Sequence, residues 1–179
     1  TTVNLAMSLA QSGKRVIVVD ADLRKGRCHR LVNVAHNVGL VDVITGQQYL
    51  HACIQSTGMR NLSLLTRGTL PPNPGDLLMS QKMRDVLREL SSSFDFVLID
   101  SPPVIAVSDP AVLSMICDGV LLVFHGQKTT KKAARLATEQ LESVRAPILG
   151  VILNGVDIRD PEYVDYRSVT NPLYWKNRK

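Results

Sequence analysis

The chain has 179 residues, of which 45% are hydrophobic and 21% charged, and its formal net charge is +5. This length and composition suit one folded domain with a sizeable core, and they exclude disordered and fibrous proteins. No apolar run reaches the roughly 18 residues that span a bilayer, and residues 1–10 lack the basic start and cleavage site of a signal peptide. The visible chain is therefore predicted to be soluble and cytoplasmic.

Cysteine usage and charge limit the partners further. Cys28, Cys53 and Cys117 are odd in number and show no CxxC or His-rich spacing, which argues against a disulfide framework and against a zinc site. We predict three reduced thiols. Aromatic residues make up only 4% and the basic residues form no long run, so no nucleic-acid partner is predicted. The phosphate of a small ligand suits the same positive charge.

The first predicted element is a helix over "TTVNLAMSLAQSGKRV", with Val3, Ala6, Met7 and Ala10 at helical spacing and Gly13 as its stop. Short apolar runs at 16–19, 62–65, 96–99, 120–124 and 148–153 then predict buried strands. Strands that alternate with helices predict an open, doubly wound α/β fold with a mostly parallel sheet.

Two further helices are predicted between these strands. Asp76 is expected to cap one helix, whose apolar face carries Met79, Met83, Val86, Leu87 and Leu90. Thr129 and Thr130 are expected to cap the other, which carries a stripe from Ala133 to Val144. The apolar periodicity stops after Asp157, so we predict one domain over 1–157 and a flexible polar tail over 158–179.

Two aspartates follow the strand in "RVIVVDADLRKGRCHR", and a third ends the strand in "FDFVLID". Ligands of open parallel sheets bind at the carboxyl ends of the strands, where Asp20, Asp22 and Asp100 are predicted to meet. Neighbouring carboxylates repel one another unless a cation is close, and Mg²⁺ takes such oxygen ligands together with phosphate oxygens. A helix cap is the alternative for the DxD spacing alone. Asp100, in the form of a Walker B acid, favours a nucleotide-metal site.

The phosphate-binding loop GxxxxGK[ST] that should accompany these acids is absent from the 179 residues. The chain opens instead on a segment typical of the helix that follows such a loop. Ser101 lies in "DSPP" and not in GxSxG, so a hydrolase nucleophile is not predicted.

Together, "DADLRKGRCH", "RGTLPPNPGDLLMS", "FDFVLIDSPPV" and "ILGVILNGV" resemble the bacterial tyrosine kinases of the polysaccharide co-polymerase system, relatives of the MinD/ParA deviant Walker ATPases. The resemblance extends from Thr1 to about Asp157. The "PPNP" element favours the kinases over partition and septum-site ATPases, which share the Walker elements. From its residues alone, this element predicts only a rigid loop.

The resemblance implies roles for individual residues. Asp20 and Asp22 match the catalytic and metal-binding acids of the Walker A-prime motif, and Asp100 matches the Walker B acid, so that Asp20 and Asp100 would hold Mg²⁺. Asn154 matches a residue near the adenine, although a turn former beside Gly155 is an equal alternative. Arg24 and Lys25 match a basic pair, of which we assign Arg24 to the nucleotide; the alternative is a solvated surface pair.

Family spacing places the phosphate-binding Lys before Thr1, so Thr1 and Thr2 would lie on the first turn of the helix that follows the loop, near phosphate. The expectation is a fragment without its first strand and phosphate-binding loop, which would bind ATP poorly and be inactive alone. The resemblance also implies that tail tyrosines Tyr163, Tyr166 and Tyr174 accept phosphate from a neighbouring subunit. The alternative for these tyrosines is packing on the surface.

The resemblance therefore implies an ATP- and Mg²⁺-dependent protein-tyrosine autokinase that controls capsule or exopolysaccharide export. It further implies a self-oligomer, a membrane-embedded co-polymerase segment or activator, a cognate tyrosine phosphatase and a place at the inner face of the cell membrane. Two alternatives stay open. One is a MinD/ParA-like positioning ATPase that uses the same acids for hydrolysis, and the other is a non-catalytic assembly module.

Overall fold

A computed structural model of the protein describes residues 1–156. In chain order its elements are α1 (Thr2–Gln11), β1 (Val16–Asp20), α2 (Cys28–Val32), α3 (Leu40–Ile44), α4 (Leu50–Cys53), β2 (Ile54–Ser56), β3 (Leu62–Leu65), α5 (Pro74–Met79), α6 (Gln81–Ser93), β4 (Phe96–Asp100), α7 (Asp109–Ser114), β5 (Val120–His125), α8 (Lys131–Ser143) and β6 (Ile148–Asn154).

The strands form a four-stranded sheet in the order β2-β3-β1-β4 and a separate pair, β5-β6. β1 runs parallel to β3 and β4, β5 runs parallel to β6, and only the short β2 is antiparallel among the described strands. In the register of β1 and β4, Asp20 lies opposite Asp100. The parallel pairing therefore brings the two acids to the same edge of the sheet.

Both faces of β1 are covered. Alternate side chains point to opposite sides of a strand, so two sets of residues pack on different layers. Val16 and Val18 pack with α1, and Ile17 and Val19 pack in a larger cluster with α3, α6 and α7. Every residue of β1 is buried. Burying a Val or Leu side chain contributes roughly 1.5–3 kcal/mol, so these layers fix β1, and with it the position of Asp20.

The structure confirms the predicted fold class, the first helix and the predicted strands, some of which run one residue further. The helix attributed to an Asp76 cap is wrong as a single element. It is two helices, because Ser80 adopts an extended conformation and its hydroxyl accepts a hydrogen bond from Met83 N at 3.1 Å, which caps α6. Asp76 lies inside α5, whose N-cap is Asn73.

The predicted cap at Thr130 is confirmed, since its side chain accepts a hydrogen bond from Ala133 N. Strand β2 was not predicted, because three residues are too few to show an alternating pattern. Among the described helices, none has both the length and the apolar character needed to cross a bilayer. The predicted tail, with Tyr163, Tyr166 and Tyr174, lies outside the described residues.

Candidate active site

The candidate site lies where β1, β4 and β6 end and α1 begins. The Thr2 hydroxyl donates to Asp100 Oδ1 at 2.6 Å, and Asn154 Nδ2 donates to the Thr1 hydroxyl at 3.2 Å. The first turn of α1 is thereby joined to the ends of β4 and β6. Its free backbone amides and the helix dipole make this end of the ten-residue helix favourable for an anion.

Asp20 is fully buried beside this helix end. Its Oδ2 accepts a hydrogen bond from Cys28 N at 3.0 Å, whereas its Oδ1 has no hydrogen-bond partner. Burial raises the pKa of the Asp20 carboxyl to about 6, and the charges of Asp100 and Asp22 act in the same direction. A buried carboxylate oxygen without a partner fits a cation, which would supply the interaction that this oxygen lacks.

Gly26 leaves the room that this carboxylate occupies. A Cβ atom on Gly26 would clash with Asp20 Oδ1 and lie 2.7 Å from Oδ2. The backbone after β1 therefore folds back over Asp20 only because residue 26 has no side chain. The glycine of "LRKGR" is thus part of the site, although the sequence alone gave it no role.

Cys28 completes the group of donors. Its thiol lies 3.5 Å from Asp100 Oδ2, to which it donates, and one donor atom each of Asp20, Cys28 and Asp100 lie within 4.8 Å of one another. Burial and the neighbouring carboxylates raise the pKa of the Cys28 thiol. The spacing of the cysteines along the chain does not reveal this contact, because Cys28 and Asp100 lie 72 residues apart.

Asp22 lies near the site but serves the backbone. Its Oδ1 accepts hydrogen bonds from Arg24 N at 3.2 Å and Lys25 N at 2.8 Å, and its own carbonyl accepts one from Gly26 N at 2.7 Å. These bonds form the tight turn that brings Gly26 over Asp20. Asp22 therefore caps a turn, and helix α2 begins later, after Arg27.

Arg24 is held by a residue that the sequence analysis did not single out. Its Nε donates to Asp109 Oδ2 at 2.9 Å and its Nη2 donates to Asp109 Oδ1 at 3.2 Å, and the Asp109 side chain is fully buried. This bidentate pair anchors the loop after β1 to α7. Lys25 is exposed.

Two more polar residues organise the surroundings. Buried Asp42 accepts hydrogen bonds from Gly39 N at 2.8 Å and from the Thr69 hydroxyl at 3.1 Å, which holds the loop that leads to "PPNP". Arg67 Nη1 donates to the Arg24 carbonyl at 3.1 Å. Both connect segments distant in sequence, so no local pattern could have identified them.

The chain was compared with known proteins. A profile described as "AAA domain" matches residues 1–147. Over 172 residues the chain is 37% identical to tyrosine-protein kinase YwqD of Bacillus subtilis, a match that covers 96% of this chain and 73% of that protein. The chain belongs to the family of bacterial tyrosine-protein kinases. Tyrosine-protein kinase etk of Escherichia coli K12, another family member, is 40% identical over 152 residues, which is 85% of this chain and 21% of that protein.

Solved structures agree with this family. The kinase domain of Escherichia coli tyrosine kinase ETK superposes with a TM-score of 0.84 at 39% identity, covering 87% of this chain and 61% of that one. The septum-site-determining protein MinD of Pyrococcus horikoshii, solved with Mg-ADP, gives a TM-score of 0.71 at 25% identity, covering 92% of this chain and 69% of that one. Several family members extend well beyond this chain, which spans only 21% to 23% of the Acinetobacter, Salmonella and Escherichia proteins.

Proposed function

We propose that the gene product containing this chain is an ATP-dependent protein-tyrosine autokinase. The observation that supports this most directly is the pairing of Asp20 with Asp100 at the strand ends, beside the first turn of α1. Family membership supports the choice of tyrosine as the acceptor. The kinase domain ETK also resembles this chain more closely than MinD does, with TM-scores of 0.84 and 0.71.

In this proposal Asp20 and Asp100 hold Mg²⁺, which would neutralise the charge on the phosphates of ATP. The unpartnered Oδ1 of Asp20 supports its part in that site. Asp20 or Asp22 orients the tyrosine hydroxyl and accepts its proton. Because Asp20 Oδ1 is assigned to Mg²⁺ and Asp20 Oδ2 accepts Cys28 N, whereas Asp22 uses Oδ1 for its two backbone amides, we assign the proton-accepting role to Asp22 Oδ2.

The same proposal assigns the nucleotide to Thr1, Thr2, Arg24 and Asn154. Thr1 and Thr2 present the amides of the α1 start, and the exposed Asn154 lies within hydrogen-bond distance of Thr1. The Asn154 side chain also accepts a hydrogen bond from Gly155 N at 2.9 Å, so the turn role and the nucleotide role are compatible. Arg24 would act from its bidentate contact with Asp109.

We also propose a further parallel strand and a phosphate-binding loop that lead into α1. Among the described residues, β4 is an outer strand of its sheet and forms no ladder with the β5-β6 pair. The contacts of Thr2 with Asp100 and of Thr1 with Asn154 set the start of α1 between the ends of β4 and β6. A strand added beside β4 would deliver a loop to this point.

At the level of the whole protein, we propose that tail tyrosines Tyr163, Tyr166 and Tyr174 accept phosphate from a neighbouring copy. The proposal includes an oligomer, a membrane-embedded co-polymerase segment or activator, a cognate tyrosine phosphatase, a position at the inner face of the cell membrane and control of capsule or exopolysaccharide export. A relative in Klebsiella pneumoniae, which carries the name "putative tyrosine-protein kinase in cps region", supports the last point.

The deciding experiment incubates the complete gene product with labelled ATP and Mg²⁺. We expect phosphotyrosine on Tyr163, Tyr166 or Tyr174 by mass spectrometry, and its loss in an Asp20→Asn variant. Release of free phosphate without phosphotyrosine would favour the MinD/ParA-like ATPase. An export phenotype that survives Asp20→Asn, in a protein that neither hydrolyses nor transfers phosphate, would favour the non-catalytic assembly module.

A further inference from the structure

The thiol of Cys28 lies within the group of acids that the proposed function assigns to a magnesium ion. One oxygen each of Asp20 and Asp100 and the Cys28 sulfur lie within 4.8 Å of one another. The distance from Cys28 Sγ to Asp100 Oδ2 is 3.5 Å. Zn–S and Zn–O bonds of about 2.3 and 2.0 Å at a tetrahedral angle place the two donors about 3.5 Å apart.

A second observation points to a cation at the same place. Asp20 is fully buried, and its Oδ1 has no hydrogen-bond partner. The other oxygen accepts the Cys28 amide, so one short segment supplies both the thiol and the bond that orients the carboxylate. Asp100 is only half-buried, which leaves a side from which an ion and its remaining water can enter.

The chemistry of the donors decides which cation they favour. Mg²⁺ takes oxygen ligands in octahedral geometry and gains nothing from a thiol. Zn²⁺ and similar ions bind thiolate strongly and accept three protein ligands with water in the fourth position. We infer that Asp20, Cys28 and Asp100 form a binding site for a thiophilic divalent cation, Zn²⁺ in particular.

Zinc binding replaces the S–H bond of Cys28 with a Zn–S bond, and the released proton goes to solvent. No electron is transferred, so no oxidant is needed. Because the two carboxylates are shared, Zn²⁺ excludes Mg²⁺ from the proposed kinase site. The inference shares these residues with the proposed function, but it does not depend on phosphate transfer.

The test uses the reduced, chelator-treated gene product and Co²⁺, a coloured substitute for Zn²⁺. We expect a thiolate-to-cobalt charge-transfer band in the near ultraviolet, which Zn²⁺ removes by displacement. Competition with a chromogenic chelator then measures the affinity for Zn²⁺. Cys28→Ser should abolish the band and weaken Zn²⁺ binding at least about tenfold, the loss that even an outer-shell partner of a metal causes.

A Cys53→Ala/Cys117→Ala variant is the matched control, because it keeps Cys28 as the only thiol of the chain. It should retain the cobalt band and the Zn²⁺ affinity. This variant also decides the question if Cys28→Ser does not fold, since absence of the band in it shows that Cys28 binds no cobalt. Absence of the band there, or its persistence in Cys28→Ser, overturns the inference.

Phosphotyrosine formation with Mg²⁺, measured beside the cobalt band, distinguishes a failure of this inference from a failure of the proposed function. The Cys53→Ala/Cys117→Ala variant keeps Asp20, Cys28 and Asp100, so its Mg²⁺-dependent phosphotyrosine formation should stay within about twofold of the unaltered gene product, and added Zn²⁺ should inhibit both proteins. Phosphotyrosine formation without a Cys28-dependent cobalt band would contradict the zinc site and leave the kinase proposal standing. A Cys28-dependent band without any phosphotyrosine would contradict the kinase proposal and leave the zinc site standing.

Discussion

At the scale of single residues, the site combines the Asp20 carboxylate, whose burial costs free energy, with a backbone turn that makes room for it. Asp20 ends a fully buried strand, and only one of its oxygens has a hydrogen-bond partner. A hydrophobic residue at this position would pack with less cost. The arrangement is therefore better explained by the chemistry of the site than by stability, and substitution at Asp20 should make this visible.

Replacing Asp20 with Asn should stabilise the metal-free protein near neutral pH. The pKa of Asp20 is raised from 3.8 to about 6, so the folded state keeps a proton that the unfolded state loses. Rising pH then favours unfolding between about pH 4 and pH 6. Asn keeps an oxygen that accepts the hydrogen bond from Cys28 N, but it has no charge to bury, so the Asp20→Asn variant avoids this loss of stability. The resulting difference in the free energy of unfolding is at most roughly 3 kcal/mol.

Urea unfolding at several pH values, with a chelator present, measures this difference. The stability gap between Asp20→Asn and the unaltered protein should widen from about pH 4 to about pH 6 and then stay constant. Added Mg²⁺ should stabilise only the unaltered protein. A gap that does not change with pH would contradict the assignment of the raised pKa to this residue.

Gly26→Ala should damage the site while the fold is kept. The added methyl group would clash with the Asp20 carboxylate and push it from its position at the end of β1. A displacement of about 1 Å can reduce catalysis about 100-fold, so we expect a loss of that order in phosphotyrosine formation by the gene product. Gly150→Ala, where a Cβ meets nothing within 4 Å, is the control and should retain activity.

At the scale of elements, the loop after β1 is held from several sides. Asp22 forms its turn, Arg24 joins it to α7, and Arg67 donates to the Arg24 carbonyl. Because Asp109 is fully buried, its carboxylate depends on Arg24 for its charge partner. The Arg24 side chain is 42% exposed, so solvent weakens the pair and the stabilisation is smaller than for a fully buried one.

A double-mutant cycle separates anchoring by Arg24 from nucleotide binding. Arg24→Ala should lower the urea midpoint of unfolding, because it leaves the Asp109 carboxylate buried without its partner. The same change should cost much less in an Asp109→Asn background. Urea unfolding measures both values, and ATP affinity measured in parallel shows any separate role at the nucleotide. Equal destabilisation in the two backgrounds would rule out the anchor.

At the scale of the whole molecule, the most informative feature is the division of the strands. The four-stranded sheet and the β5-β6 pair share no ladder within residues 1–156, and the side chains of Leu121, Val123 and Val151 are exposed. Apolar strands of this kind are normally covered on both faces in parallel sheets. A further strand beside β4 would account for the division.

Hydrogen exchange tests this proposal. In the 179-residue chain, the amides of β4 that do not bond to β1 should exchange rapidly, as expected at a free sheet edge. In the complete gene product, the proposed strand beside β4 should slow their exchange by orders of magnitude. The amides of β1, which is paired on both sides, are the internal control. Equal exchange at β4 in both proteins would contradict the added strand.

The sequence by itself determined the fold class and the strand ends that carry acids. Apolar runs and helical periodicity are local patterns that a short stretch of sequence shows directly. They therefore predicted the strands, α1 and the placement of Asp20 and Asp100 at strand ends. The break at Ser80 was missed because the apolar stripe continues across it. The tertiary structure alone decided which groups meet. Cys28 meets Asp100 and Arg24 meets Asp109 across long stretches of chain, and Gly26 meets Asp20 through the turn after β1. Such contacts depend on how loops fold back over the sheet, and no local spacing in the chain encodes that.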